Sequence, residues 1–305
     1  MRLPVPSFGV ALLRRATAKR ISRPTAATLG LLLLAIGPLG AEDETLIGPR
    51  RRELREQIGA SVNNLGLQNS LDLSWRWPLS SSSNPLLSDA HLTLGLTHTL
   101  SPSYTRVGAW AEFSPLSVLD LRVGIEPGVY FGSFHSLLSF NSYSDNFSND
   151  ARDKRGDSAF GTAGRLYASP TLKMKAGPLV AAASADFEWW KSDAAGPLFY
   201  EPARDTLLKT KGDRLLNTAT VLLYQRGLGP DGILSAGLIH QLTYVRDAPA
   251  NKIQRLGVVV VREFGAKRFG LPHPSLVGMV AQYLDDPSKR HQLSAALALA
   301  IKSTR

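Results

Sequence analysis

The 305-residue sequence contains no cysteine, which excludes disulfides, Cys-ligated zinc and a catalytic thiol. Mean hydropathy is −0.06, too low for a bundle of membrane-spanning helices. Acidic residues are missing from Met1–Ala41, where Arg2, Arg14, Arg15, Lys19, Arg20 and Arg23 supply six of the ten net positive charges. The basic balance is therefore largely a property of the leader and a weak sign of nucleic-acid binding. No cluster of Lys and Arg interleaved with aromatics follows it, and no nucleic-acid partner is expected.

The leader has the parts of an export signal. A basic region runs to Arg23, "AATLGLLLLAIGPLGA" gives an apolar core, and small Gly40 and Ala41 precede acidic "EDE". The core is shorter than the roughly 20 apolar residues of a spanning helix. Residues 1–41 are read as a signal peptide. Residues 42–65 are read as a periplasmic N-terminal segment, with "PRRRELREQIGAS" as a short helix behind Pro49.

From Leu67 the pattern has period two. In "VLDLRVGIEPGV", Leu119, Leu121, Val123 and Ile125 alternate with Asp120, Arg122, Gly124 and Glu126. "HLTLGLTHTL" and "YTRVGAWAEF" alternate in the same way. Such alternation predicts a sheet with one apolar and one polar face. Twelve segments are counted, near 66–77, 90–100, 104–113, 117–126, 128–140, 160–175, 178–191, 213–226, 232–246, 252–264, 274–284 and 290–302.

Every second connection is short and contains proline: "SPS", "EPG", "AGP", "GLGPDG" and "AKRFGLPHP". The others include the long polar stretches 78–89, 141–159 and 192–212. Short turns at one end and long loops at the other predict an all-β fold, a closed antiparallel transmembrane β-barrel of about twelve strands over residues 66–305. The segments exceed the 5–6 residues typical of soluble strands, which weighs against a water-soluble sandwich. Aromatics also gather near segment ends, as in membrane girdles.

On this pattern the chain resembles bacterial outer-membrane β-barrels of about a dozen strands, among them solute channels and the outer-membrane phospholipase. The resemblance implies the bacterial outer membrane, with its lipid and lipopolysaccharide as surroundings and the barrel-assembly machinery as a partner during insertion. Small solutes and a possible envelope protein complete the expected partners; no cofactor is expected. Barrels of this kind usually end on an aromatic residue, whereas this chain ends "AALALAIKSTR", with Ile301 the last candidate for the lipid face.

The inward face would carry Asp72, Arg76, Arg106, Glu112, Asp120 and Arg122 from the first segments. Glu126, Arg165, Lys173, Lys175, Asp186 and Glu188 continue it. Charged rings in a pore select ions or solutes. With signs this evenly mixed, pairing across neighbouring strands into a stiff, narrow lumen is the expectation. A passive channel for small polar or ionic solutes leads, and a structural or partner-binding barrel with a filled lumen is the alternative.

"GLGPDG" matches G-x-G-x-x-G, yet an alternating strand rather than a helix follows, so it reads as a hairpin. His135 and Ser133 share one strand face, a pairing similar to that of the phospholipase but in reversed order. They are the only candidates for a lipid-acting hydrolase. The other histidines, His91 included, lack metal-ligand spacing, so no metal is expected. The charged stretches "NDARDKRGD" and "EPARDTLLKTKGDR" are expected to be solvated loops.

Overall fold

The computed structural model describes residues 51–63, 66–156, 159–265, 267–268 and 271–304. The export signal read at 1–41 lies outside them. The first strands are β1 (Arg51–Val62), β2 (Gly66–Pro78), β3 (His91–Leu100), β4 (Tyr104–Leu116) and β5 (Leu119–Phe131). A long loop follows, carrying β6 (Ser139–Phe140) and the short helix α1 (Asn149–Arg155). After β7 (Phe160–Ala176) and β8 (Leu179–Ser192), a second long loop carries β9 (Leu198–Glu201) and β10 (Thr206–Lys209). Then come β11 (Asp213–Gly227), β12 (Gly232–Val245) and β13 (Ile253–Phe264). A small hairpin, β14 (Lys267–Arg268) and β15 (Leu271–Pro272), precedes β16 (Ser275–Asp285) and β17 (Leu293–Thr304).

Twelve of these strands close an antiparallel barrel in chain order, β1-β2-β3-β4-β5-β7-β8-β11-β12-β13-β16-β17. β17 returns to β1, from Glu53 opposite Thr304 to Val62 opposite Ala295. Closure gives every strand two neighbours, which is how a sheet satisfies its backbone polar groups in hydrocarbon.

The twelve strands differ from the expected set in two places. Arg51–Val62 is a barrel strand, not a periplasmic helix: it fills the gap between β17 and β2, whose edges would otherwise lack a partner. The segments 117–126 and 128–140 are one strand, because "EPG" runs straight through β5. Pro127 has no N–H to donate. The β4–β5 ladder lapses there, pairing Arg106 with Gly128 and next Ala109 with Ile125. The same device holds Pro170, where β7 pairs Ala168 with Phe187 and next Thr171 with Ser184.

These two changes move the short turns. β1 begins and β17 ends at one end, the base, together with connections 79–90, 117–118, 177–178, 228–231 and 265–274. The loop end carries 63–65, 101–103, 132–159, 193–212, 246–252 and 286–292. "SPS" and the serine run therefore exchange ends relative to the expected pattern, while "AGP" and "GLGPDG" stay at the base. "GLGPDG" is a hairpin turn, with Gly229 and Gly232 at positive φ and the Leu228 amide bonded to the Gly232 carbonyl.

The alternation sorts as the strand period dictates. Leu92, Leu94, Leu96, Val123 and Ile125 are 36–55% exposed on the outer face. That face is an apolar belt, where a midplane Arg or Lys costs about 2–4 kcal/mol. Glu56 is an exception on it, and accepts a hydrogen bond from Asn69 Nδ2 at 2.9 Å.

Inside, two glycines make room for aromatic rings. Trp110 of β4 packs over Gly95 of β3, and Tyr167 of β7 covers Gly124 of β5. At either glycine a Cβ would stand inside the van der Waals radius of the ring.

Candidate functional site

The lumen has one apolar and one charged wall. The apolar wall is built from Val180, Val221, Leu223, Ile239, Val259 and Met279, facing inward from β8, β11, β12, β13 and β16. The charged wall is built from β2, β3, β4, β5, β7 and β8. Adjacent strands sit about 4.8 Å apart, so opposite charges at facing registers meet directly.

At the base, Arg122 donates to Glu112 Oε2 through Nε and Nη2, at 2.9 and 2.7 Å. Its guanidinium stacks on Trp110 at 4.0 Å from the ring centre. Lys173 Nζ lies 2.8 Å from Asp120 Oδ2. Arg76 is paired with Asp89. Between them stands His91, whose Nε2 lies 3.1 Å from Ser114 Oγ and 3.6 Å from Glu112 Oε1. The Ser114 hydroxyl donates to Asp120 Oδ1 at 2.7 Å.

Midway, Arg165 donates to both Glu126 oxygens at 2.9 Å and is also paired with Glu188. Trp190 Nε1 donates to Glu188 at 2.6 Å. Ser169 donates to Asp186, and Asp72 is buried on the inner face of β2. Arg106 donates to the Tyr104 hydroxyl at 3.2 Å and stacks on the Tyr104 ring at 4.4 Å. The predicted residues named above face inward, and the pairs Arg122–Glu112, Lys173–Asp120 and Arg165–Glu126 join neighbouring strands, while Lys175 is exposed at the end of β7.

At the loop end parts of the two long loops turn inward, which corrects the expectation that "EPARDTLLKTKGDR" is solvated; of "NDARDKRGD", Arg152 is buried and 153–156 are exposed. β10, β9 and β6 form a three-stranded sheet. Leu137, Phe199, Ala203 and Leu208 pack against Tyr104, Tyr130, Trp190, Leu215 and Val245 of the inner wall. Burying these aromatic and aliphatic groups contributes about 1.5–3 kcal/mol for each large side chain, enough to order the loops.

Ion pairs then fix this plug to the wall. Arg204 pairs with Glu188 of β8. Glu201 accepts from the Tyr130 hydroxyl of β5 at 2.8 Å, and lies 3.9 Å from Arg106. Asp205 pairs with Lys289 of the 286–292 loop and lies 3.3 Å from Arg152 of α1. Arg152 stacks on Tyr200 at 3.9 Å.

Exposure falls along the lumen. Glu112, Asp120, Arg122 and Lys173 at the base have side chains 13–20% exposed. Glu126, Arg165, Glu188, Arg204, Asp205 and Lys289 are at 8% or less. The charged side chains at the base are thus more exposed than those midway and in the plug.

The structure separates the two candidate catalytic residues. Both lie in the loop after β5, not on a strand face. Ser133 Oγ donates to the Pro102 carbonyl, and His135 Nε2 lies 3.0 Å from Asp153 Oδ1. His135 has a φ of +63°, which turns its backbone out of the strand. Sequence reasoning missed His91, Ser114, Arg152, Glu201, Arg204, Asp205 and Lys289. For the plug residues the signal available was the buried-type spacing in "PLFYEPARDTLL", apolar residues close around Glu201 and Asp205.

No protein-family model and no curated protein matches the sequence. Solved structures similar to it are bacterial outer-membrane barrels. The β-domain of the Bordetella autotransporter BrkA is 12% identical, with 83% of this chain and 98% of that one covered and a TM-score of 0.42. The NanC porin is 10% identical, with 83% and 99% covered and a TM-score of 0.40. The translocator domain of the autotransporter NalP from Neisseria meningitidis is 14% identical, with 85% and 89% covered and a TM-score of 0.38.

Proposed function

We propose that the chain is a bacterial outer-membrane β-barrel and a channel for small polar or ionic solutes, held shut by its own loop plug. The observation that carries this reading is the charged wall. It runs from Arg76 and Glu112 at the base to Arg106 and Glu188, and the plug is fixed to its far end by Arg204 and Glu201 and to the neighbouring loops by Asp205. Charges in the lumen are supported by water or by pairing, and a polar interior is what a water-filled barrel requires. A plug fixed by ion pairs and hydrogen bonds, rather than by chain connectivity alone, can withdraw without unfolding the wall.

Planar-bilayer recording of the refolded chain tests it. Infrequent small steps are expected for the native protein, and frequent larger steps when Arg204 and Asp205 are both replaced by alanine. A double variant that is folded, by its heat-sensitive gel migration, and yet electrically silent would overturn the channel reading.

The apolar wall favours a second reading. Val221, Leu223, Ile239 and Met279 are at most 4% exposed and pack as a core on the inside of the barrel. A barrel filled in this way would serve through its loops and an envelope partner, and neither protein would conduct.

A further inference from the structure

The geometry points to a divalent transition-metal site on the inner wall at the base, formed by His91, Glu112 and Asp120. Nothing in the strand spacing of the sequence announces it. The three residues come from β3, β4 and β5, and only the barrel register brings them together. His91 stands opposite Ser114 across the β3–β4 ladder, and Glu112 opposite Arg122 across the β4–β5 ladder. Their nearest ligand atoms all lie within 4.8 Å of one another. Among the described residues this is the one grouping of three such side chains.

The orientation of each ligand supports the assignment. The other ring nitrogen of His91, Nδ1, lies 2.7 Å from the Asp89 carbonyl oxygen. Nδ1 also lies 3.1 Å from Arg76 Nη2, and Nε2 lies 3.1 Å from Ser114 Oγ; an ion taken up at Nε2 would keep the ring proton on Nδ1, facing the Asp89 carbonyl. A backbone acceptor that fixes the tautomer in this way is the usual outer support of a metal-bound histidine.

Each carboxylate divides its oxygens. Glu112 gives Oε2 to Arg122 and turns Oε1 toward His91. Asp120 gives Oδ2 to Lys173 and Oδ1 to the Ser114 hydroxyl. The cations thus engage Glu112 Oε2 and Asp120 Oδ2, while His91 Nε2 and Asp120 Oδ1 both contact the Ser114 hydroxyl and Glu112 Oε1 lies 3.6 Å from His91 Nε2. That hydroxyl, 1% exposed with its residue, is within reach as a fourth ligand.

The distances fit. Ligand atoms about 2.0–2.2 Å from a tetrahedral ion stand roughly 3.4 Å apart. His91 Nε2 and Glu112 Oε1 are 3.6 Å apart, so small rotamer adjustments complete the site. One nitrogen and two carboxylates suit zinc among the common divalent ions. His91 is buried, while the Glu112 and Asp120 side chains are 16% and 13% exposed and give an ion its way in from the base. Bound there, it would tie three strands together and add positive charge to the base.

The test is calorimetric titration of Zn2+ into the full chain, folded in detergent and stripped with chelator. One Zn2+ per barrel is expected for the native protein. His91→Ala and Asp120→Asn are each expected to weaken binding at least about tenfold, the order of loss seen for removed metal supports. His240→Ala, on the outer face, is expected to leave it unchanged. Co2+ bound in place of Zn2+ should give the visible absorption of a tetrahedral site, absent from His91→Ala. Heat-sensitive gel migration establishes that each variant is folded. No binding by the native barrel, or undiminished binding by a folded His91→Ala variant, would overturn the site.

Discussion

The Tyr130 hydroxyl, on the inner face of β5, donates to Glu201 of the plug at 2.8 Å, across 71 residues of sequence and with both side chains fully buried. One partner belongs to the wall and the other to a loop, so this bond reports plug docking without being part of the barrel ladder. Tyr130→Phe is expected to loosen the plug by about 1–3 kcal/mol, the cost of leaving a buried acceptor short of a donor. More frequent openings in bilayers, with the thermal midpoint of the whole barrel little changed, are the expected readout. An equal loss in both would assign the bond to the wall.

Asp205 ties three segments together through Lys289, Arg152 and Tyr200. Asp205→Asn removes the carboxylate that Lys289 and Arg152 share, a loss of about 3–5 kcal/mol where a buried pair is broken. Limited proteolysis is expected to cut within 193–212 and 132–159 well before the strands. Unaltered protection of both loops would show that apolar packing alone holds the plug.

The plug carries opposed titrations. Burial pushes the Glu201 carboxyl above its ordinary range, against the pull of Arg106 and Arg204. Burial acts the same way on Asp205, but Lys289 and Arg152 outweigh it and hold that carboxyl below its ordinary range. The contribution of Glu201 is complete below its unfolded pKa of about 4.3 and is lost as pH rises through the raised folded value. That of Asp205 is present above about pH 3.9 and is lost only as pH falls further. Acidification from neutral toward about pH 5 is therefore expected to tighten the plug and reduce openings, a trend that Glu201→Gln should abolish.

The inner glycines are packing sites. Gly95→Ala would drive a methyl into the Trp110 ring, and displacing that ring removes the platform beneath Arg122. A loss of about 1–3 kcal/mol is expected for such overpacking, read from the urea midpoint of the folded barrel. Gly278→Ala, where nothing lies within 4 Å, is the control and should leave the midpoint in place.

The apolar belt gives a further test. Leu96 is 50% exposed in the middle of β3. Leu96→Arg is expected to cost about 2–4 kcal/mol in lipid. Thr97→Arg, one residue along and facing the lumen, should cost less than this if the charge finds solvent there. Refolding yield into vesicles compares the two directly.

Much of the architecture is local and so was present in the sequence. Period-two alternation is set residue by residue, so Leu119, Leu121, Val123 and Ile125 declare one face and Asp120, Arg122 and Glu126 the other before any partner is known. The barrel class follows, because a strand that long with one greasy face needs hydrocarbon on that side. Other features are decided between strands. Pro127 reads as a turn until β4 supplies a gap in its ladder, and Arg51–Val62 reads as a helix until β17 and β2 supply two edges. The contact of Glu201 with Tyr130, the pairing of Asp205 with Lys289, and the meeting of His91 with Glu112 and Asp120 depend on register, closure and loop docking. Those are properties of strands brought together across tens of residues, and no local pattern in a single strand carries them.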